Sequence, residues 1–181
     1  MPRAQPIRLL IILAPADAAR EKMAGPRLET VAAAYYLFRD REAEVVLATP
    51  AGGDAGVVKP HPDRSARLTD VARFLADRTA RDDLADTLSL SQIVVEDFDT
   101  ALCLGNCGGP RAGEATGIIP LLAALLCAGR PVGVIPGRGL LPGGESAANG
   151  LLLLAERRSW ALPMAQALYA LAAASGAGPA R

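Results

Sequence analysis

A three-layer α/β fold on a mostly parallel, doubly wound sheet is predicted for this chain by three observations. Ile7 to Ala14 is an uninterrupted apolar run, the signature of a strand buried on both faces. Short apolar runs then alternate with segments of helical periodicity, the pattern of parallel strands joined by crossover helices. Glycine, proline and small polar residues punctuate the ends of these runs.

Each element follows in order. After Ile7–Ala14, the break Pro15-Ala16-Asp17 leads to a helix over Leu28–Arg41, with Leu28, Val31, Ala32, Tyr35 and Leu37-Phe38 near helical spacing. Glu44–Thr49 (EVVLAT) is the next strand, closed by a turn at Pro50-Ala51-Gly52-Gly53. Gly56–Ser65 is polar and proline-bearing, a surface excursion. One helix is expected over Asp70–Leu88, and Leu90–Val95 reads as a short strand or edge segment. Phe98–Leu104 is a strand entering the turn Gly105-Asn106-Cys107-Gly108-Gly109-Pro110. Ile118–Ala128 is a helix with Pro120 in its first turn, where the missing N–H costs nothing. Val132–Ile135 is a core strand, Gly137–Gly150 a loop, Leu151–Ala155 the last strand and Trp160–Ala174 the last helix. Trp160 is expected to anchor that helix on the sheet, and residues 175–181 to form a frayed tail of a single domain spanning 1–181.

Composition narrows the function classes. The 181 residues suit one domain with one substantial core, and at 51% hydrophobic but 4% aromatic that core must be aliphatic. Lys+Arg and Asp+Glu are both 19, which gives no electrostatic grip on nucleic acid or an acidic membrane. Three cysteines without framework spacing argue against a disulfide scaffold and for a reducing cytoplasm. Arg3 and Arg8 before Leu9–Ala14 mimic a short signal peptide, but the run is too short to span a bilayer and reads as the first strand. One histidine, His61, and scattered cysteines make no metal-ligand set, so no metal and no cofactor are expected. Gly137-Arg138-Gly139 fails as a dinucleotide fingerprint, because Pro142 stands where the third glycine belongs.

Read in this order, the chain resembles the ThiJ/PfpI family of the class I glutamine amidotransferase-like superfamily. The resemblance is carried by LETVAAAYYLFRDREAEVVLATPAGG, VARFLADRTARDDLADTLSLSQIVVEDFDTALCLGNCGGP, AGRPVGVIPGRG and NGLLLLAERRSWALPMAQALYAL, from about Ile7 to Ala174. It implies a flavodoxin-like sandwich, a small-molecule ligand and a homodimer, for which Tyr35–Tyr36 of the first helix offer apolar area.

The departures from the family pattern gather at one place. The family presents a cysteine, then histidine and glycine, on a sharp elbow after the strand matching Val132–Ile135. This chain has Pro136, Gly137 and Arg138 there, and proline carries no nucleophile and locks φ near −65°. The family's acidic partner on the first helix falls at Thr30, with Glu29 beside it. The glycine-rich turn that offers N–H groups to an oxyanion reads Asn106, Cys107, Gly108, and the insert before the last strand is shortened to roughly Leu140–Asn149.

The candidate chemical residues keep two readings each. Cys107 is either a thiolate stabilised by turn N–H groups or by Arg138, or a small residue tolerated where glycine would otherwise sit. Glu29 is either a general acid or base in a dry pocket, or a surface carboxylate favoured by the helix dipole. Arg138 is either an anion or carbonyl ligand, or a solvated arginine or an ion-pair partner of Glu29, Glu114 or Glu145. Cys103 and Cys127 read as structural.

Three functions follow as expectations. The first is a catalytically degenerate relative that keeps a small-molecule pocket at the carboxyl edge of the sheet. It would serve as a metabolite binder or as an acid–base enzyme on a carbonyl-bearing metabolite, with Thr30, Asn106, Gly108, Pro136, Gly137 and Arg138 around the ligand. The second is a cysteine-dependent hydrolase or lyase, of glyoxalase or amidase type, using Cys107. The third is a noncatalytic partner subunit.

Overall fold

The computed structural model describes residues 6–14, 25–60, 69–105, 116–136 and 150–176. Its centre is a sheet in the order β3-β4-β2-β1-β5-β6-β7. The strands are β1 (Arg8–Leu13), β2 (Glu44–Thr49), β3 (Ala51–Gly53), β4 (Thr87–Ser89), β5 (Thr100–Leu104), β6 (Val132–Ile135) and β7 (Leu152–Leu154). The helices are α1 (Leu28–Arg39), α2 (Thr69–Ala76), α3 (Arg78–Ala85), α4 (Ile118–Cys127) and α5 (Ala161–Gly176). Among the described residues, only the β3–β4 pairing is antiparallel.

Alternation within the strands builds the two outer layers. Leu9, Ile11 and Leu13 of β1, with Leu102, Leu104 and Ile135, face α1 and α5. The intervening Leu10 and Ile12, with Ala101, Cys103, Val132 and Val134, face α4. Leu9 to Ala14 are all fully buried, as a strand covered on both faces requires. Tyr35, Phe38 and Phe74 are the largest buried side chains of the α1 side, each contributing about 1.5–3 kcal/mol by burial. At the start of β5 the buried Thr100 hydroxyl donates to the Pro131 carbonyl at 2.9 Å, tying β5 to the entry of β6.

Several boundaries depart from the sequence-based expectation. The segment Ala51–Gly53, expected as a turn, pairs with β4, and Gly52 and Gly53 supply the positive φ angles that fold it back. The expected helix Asp70–Leu88 is two helices and a strand. Asp77 breaks it by adopting an extended backbone and accepting the Ala80 N–H, capping α3. Thr87–Ser89 then joins the sheet, where the hydroxyls of Thr87 and Thr49 lie 3.0 Å apart. Leu90–Gln92 is a one-turn 3-10 helix rather than a strand. Ser175 and Gly176, expected in the tail, close α5.

Two side-chain expectations are also corrected. Trp160 does not anchor the last helix: it sits in a 3-10 turn before α5 and is 56% exposed. The sheet contact there belongs to Met164 and Leu168, which pack so closely on Gly133 that a Cβ would meet the Met164 sulfur at 2.6 Å. Cys103 is buried as expected, whereas Cys127, read as structural, is exposed at the end of α4.

Candidate functional site

The sheet order places a topological switch point between β1 and β5. From β1 the chain crosses through α1 to β2 on one side, while β5, β6 and β7 build outward on the other. Open α/β sheets bind ligands in the crevice outside the carboxyl ends of the strands at such a point. Here those ends are drawn level by the Ala14 N–H donating to the Leu104 carbonyl at 2.8 Å and the Gly105 N–H donating to the Ile135 carbonyl at 2.9 Å. Gly105 has φ +107°, and a Cβ on it would collide with the Ala14 carbonyl oxygen. Only glycine permits the chain to leave β5 this close to β1.

Glu29 and Thr30 lie in the first turn of α1, which begins over this edge. Arg27 is the N-cap residue, held by the Leu28 N–H donating to the Val58 carbonyl and the Val58 N–H donating to the Pro26 carbonyl. Thr30 is buried in the base of the helix. The Glu29 carboxylate is half-buried and lies 3.7 Å from the Arg27 guanidinium. Its Oε2 and the Arg27 Nε are both shielded from solvent and, among the described residues, have no hydrogen-bond partner. Such atoms are costly to leave unpaired, so each residue of this ion pair keeps a buried polar atom besides the contact between them. Arg27 is the residue that sequence reasoning missed; its signal was the spacing Arg-x-Glu at a helix start.

Pro136 directly follows β6, at the position where the resemblance puts its elbow, and the Ile135–Pro136 peptide is cis. Thus Glu29, Thr30 and Pro136 all stand at the carboxyl edge of the sheet. Asn106, Cys107, Gly108, Gly137 and Arg138, like His61 and the shortened insert, lie outside the described residues.

The whole architecture matches solved structures. The Rapid Encystment Protein 24 KDa of Francisella tularensis aligns over 92% of this chain and 99% of its own, with 13% identity and a TM-score of 0.65. A ThiJ/PfpI domain protein from Brachyspira murdochii aligns over 94% and 99%, at 12% identity and a TM-score of 0.57. The fold is that of the ThiJ/PfpI proteins. Glyoxalase III from Candida albicans shares it, at 13% identity, with 91% and 97% covered and a TM-score of 0.58. No family model and no curated relative matches the sequence. On this fold, the residue directly after β6 is Pro136.

Two concave regions lie away from the switch point. A polar cleft of about 420 Å³ sits at the end of α1, where Arg73 grips Asp40 through two hydrogen bonds of 2.7 and 2.8 Å and stacks on the Tyr36 ring. An apolar groove of about 480 Å³ runs between β7 and the start of α5, past Trp160, Pro163 and Met164. The Arg73–Asp40 pair spans the cleft and clamps α2 to the end of α1. Tyr35 and Tyr36 belong to that clamp: they are 0% and 3% exposed, so the expectation that they offer a dimer surface fails. Among the described residues, no group of three or more His, Cys, Asp or Glu is placed to hold a metal ion. No described helix is long and apolar enough to cross a membrane.

Proposed function

We propose that the chain is a divergent ThiJ/PfpI protein without the elbow cysteine, keeping a small-molecule pocket at the carboxyl edge of the sheet. It acts there as a cytoplasmic metabolite binder, or as a cofactor-independent acid–base enzyme on a carbonyl-bearing metabolite. One observation carries this reading. Pro136, directly after β6, has no nucleophilic atom, while the adjoining crevice keeps a half-buried carboxylate, Glu29, paired with Arg27 and with an oxygen unpartnered among the described residues. Covalent catalysis of the family's kind needs a nucleophile at the elbow. A carboxylate and a guanidinium need none: one can take a proton from carbon next to a carbonyl, and the other can hold the oxygen on which charge develops.

The test is mass spectrometry of small molecules released from purified full-length protein, with thermal-shift titration of aldehydes, ketones and hydroxyketones. A bound or stabilising compound whose effect disappears in Glu29→Gln supports the reading. A protein that retains nothing, and whose melting is unmoved by every compound, refutes it.

The alternative is a cysteine-dependent hydrolase or lyase using Cys107. It is favoured by the position of Cys107, two residues beyond the close-packed Gly105 at the carboxyl end of β5. Turnover of methylglyoxal that is abolished by Cys107→Ala selects it over the first reading.

A further inference from the structure

We propose that the groove between β7 and α5 is a second small-molecule site, one that takes a flat aromatic ring bearing a carboxylate. The site goes beyond the ligand reading at Glu29, uses none of the crevice residues and stands or falls without them.

The local sequence builds the groove. After β7 the chain turns at Glu156 and Arg157 into the one-turn 3-10 helix Arg158–Trp160, and enters α5 at Ala161. Met164 and Leu168 pack on Gly133 and hold α5 down on the sheet. Trp160, Pro163, Met164 and Ala167 recur at helical spacing along the flank of that contact and form one wall, while Leu153 and Leu154 belong to the other. Ala167 offers only a methyl group, which leaves the wall concave between its larger neighbours. The space amounts to about 480 Å³, inside the range of roughly 300–1,000 Å³ that small-molecule sites occupy.

Wall chemistry and charge choose the occupant. Trp160 is 56% exposed, whereas Tyr35, Tyr36, Phe38, Phe74 and Phe98 are all buried. An indole, a proline ring and a thioether sulfur are surfaces on which a flat aromatic ring packs well. Glu156 and Arg157 both line the groove. Glu156 already has a partner. Among the described residues, no carboxylate pairs with the Arg157 guanidinium. The first turn of α5 holds no acidic residue, so the positive end of its dipole is uncompensated there. A carboxylate on a ring stacked at Trp160 therefore meets an unused planar donor fork, which binds such a group through two parallel N–H contacts.

Trp160 is the chain's single tryptophan, so its indole N–H gives one nuclear magnetic resonance signal that reports the groove. Titrating the full chain with 2-naphthoate should shift that signal saturably. The neutral 2-naphthamide should bind about fivefold more weakly, the upper end of what an exposed ion pair gives. Arg157→Gln should lower naphthoate to the level of naphthamide and leave naphthamide unmoved. Trp160→Ser, at an exposed position, should abolish the calorimetric binding of both with unchanged circular dichroism. An indole signal indifferent to millimolar naphthoate overturns the proposal without any variant having to fold. Equal affinity for acid and amide overturns it as well, as does an Arg157→Gln protein that binds naphthoate like the wild type. A signal that moves with protein concentration alone, before ligand is added, gives the groove to a second copy of the chain and overturns it too.

Discussion

Tyr35 and Tyr36 show how neighbouring aromatics are given separate duties by burial. The Tyr35 hydroxyl donates to Asp83 at 2.7 Å and the Tyr36 hydroxyl to Asp77 at 3.1 Å, pinning α1 to α3 and its cap. Burial first, then the hydrogen bond to Asp77, pushes the Tyr36 hydroxyl up to about 12 from its ordinary 10. The Tyr35 hydroxyl is raised for the same reasons, with Asp83 as its partner. A group whose pKa is higher folded than unfolded gives stability that is complete below the unfolded value and lost as pH rises through the folded one. Stability should therefore fall between pH 10 and about 12, and Tyr36→Phe should flatten that fall while costing about 1 kcal/mol at neutral pH. Urea unfolding of both proteins across that range checks the slope. At the crevice, Gly105→Ala must force positive φ on alanine and push the new methyl into the Ala14 carbonyl. The expected loss is about 1–3 kcal/mol or more, read by the same unfolding, whereas alanine at Gly53, where nothing lies within 4 Å, meets only the φ penalty.

Elements are delimited here by single residues acting on the backbone. Asp77 ends α2 and starts α3 because its carboxylate serves a free N–H better than a continuous helix would. Asp77→Ala should cost about 1 kcal/mol by removing that cap. The Ala80 N–H, followed by other donors including Tyr36, holds the Asp77 carboxyl below the usual range. Its stabilisation is thus present above the ordinary carboxylate value and lost as acid protonates it, so the gap between wild type and Asp77→Ala should close at low pH. Between α5 and β6, Gly133 is a contact residue: alanine there meets the Met164 sulfur and a Leu168 methyl. Overpacking should destabilise by about 1–3 kcal/mol, and Met164→Ala in the same chain should recover part of it, which thermal denaturation of the pair would reveal.

At the scale of the molecule, the sheet sets the site by topology, since α1 and the ends of β1, β5 and β6 converge at one edge. Pro136 sits among them without a reactive atom. Pro136→Cys alone should give no methylglyoxal turnover, because a thiol at the elbow needs a base and oxyanion donors placed for it. The measurement is turnover by Pro136→Cys against the wild-type background, and a rate typical of enzymes would sink the reading of a repurposed crevice.

The amino-acid sequence by itself determined the layers. Ile7–Ala14 reads as a buried strand and is one, and Glu44–Thr49 and Val132–Ile135 lie where the apolar runs put them. Local apolar pattern is a direct readout of which faces are buried, and that Pro136 carries no nucleophilic atom is decided by residue type alone. Tertiary structure decided the rest. Whether Ala51–Gly53 turns or pairs depends on β4 arriving beside it, and Thr87–Ser89 is a strand only because β2 offers an edge. Tyr35 and Tyr36 were equally suited to a core or an interface until α2 and α3 covered them, and Trp160 was assigned to the core that Met164 and Leu168 occupy. The Arg27–Glu29 pairing was likewise out of reach, because it rests on where Val58 holds the start of α1. Long-range contact chooses among conformations that a short segment leaves nearly equal in energy.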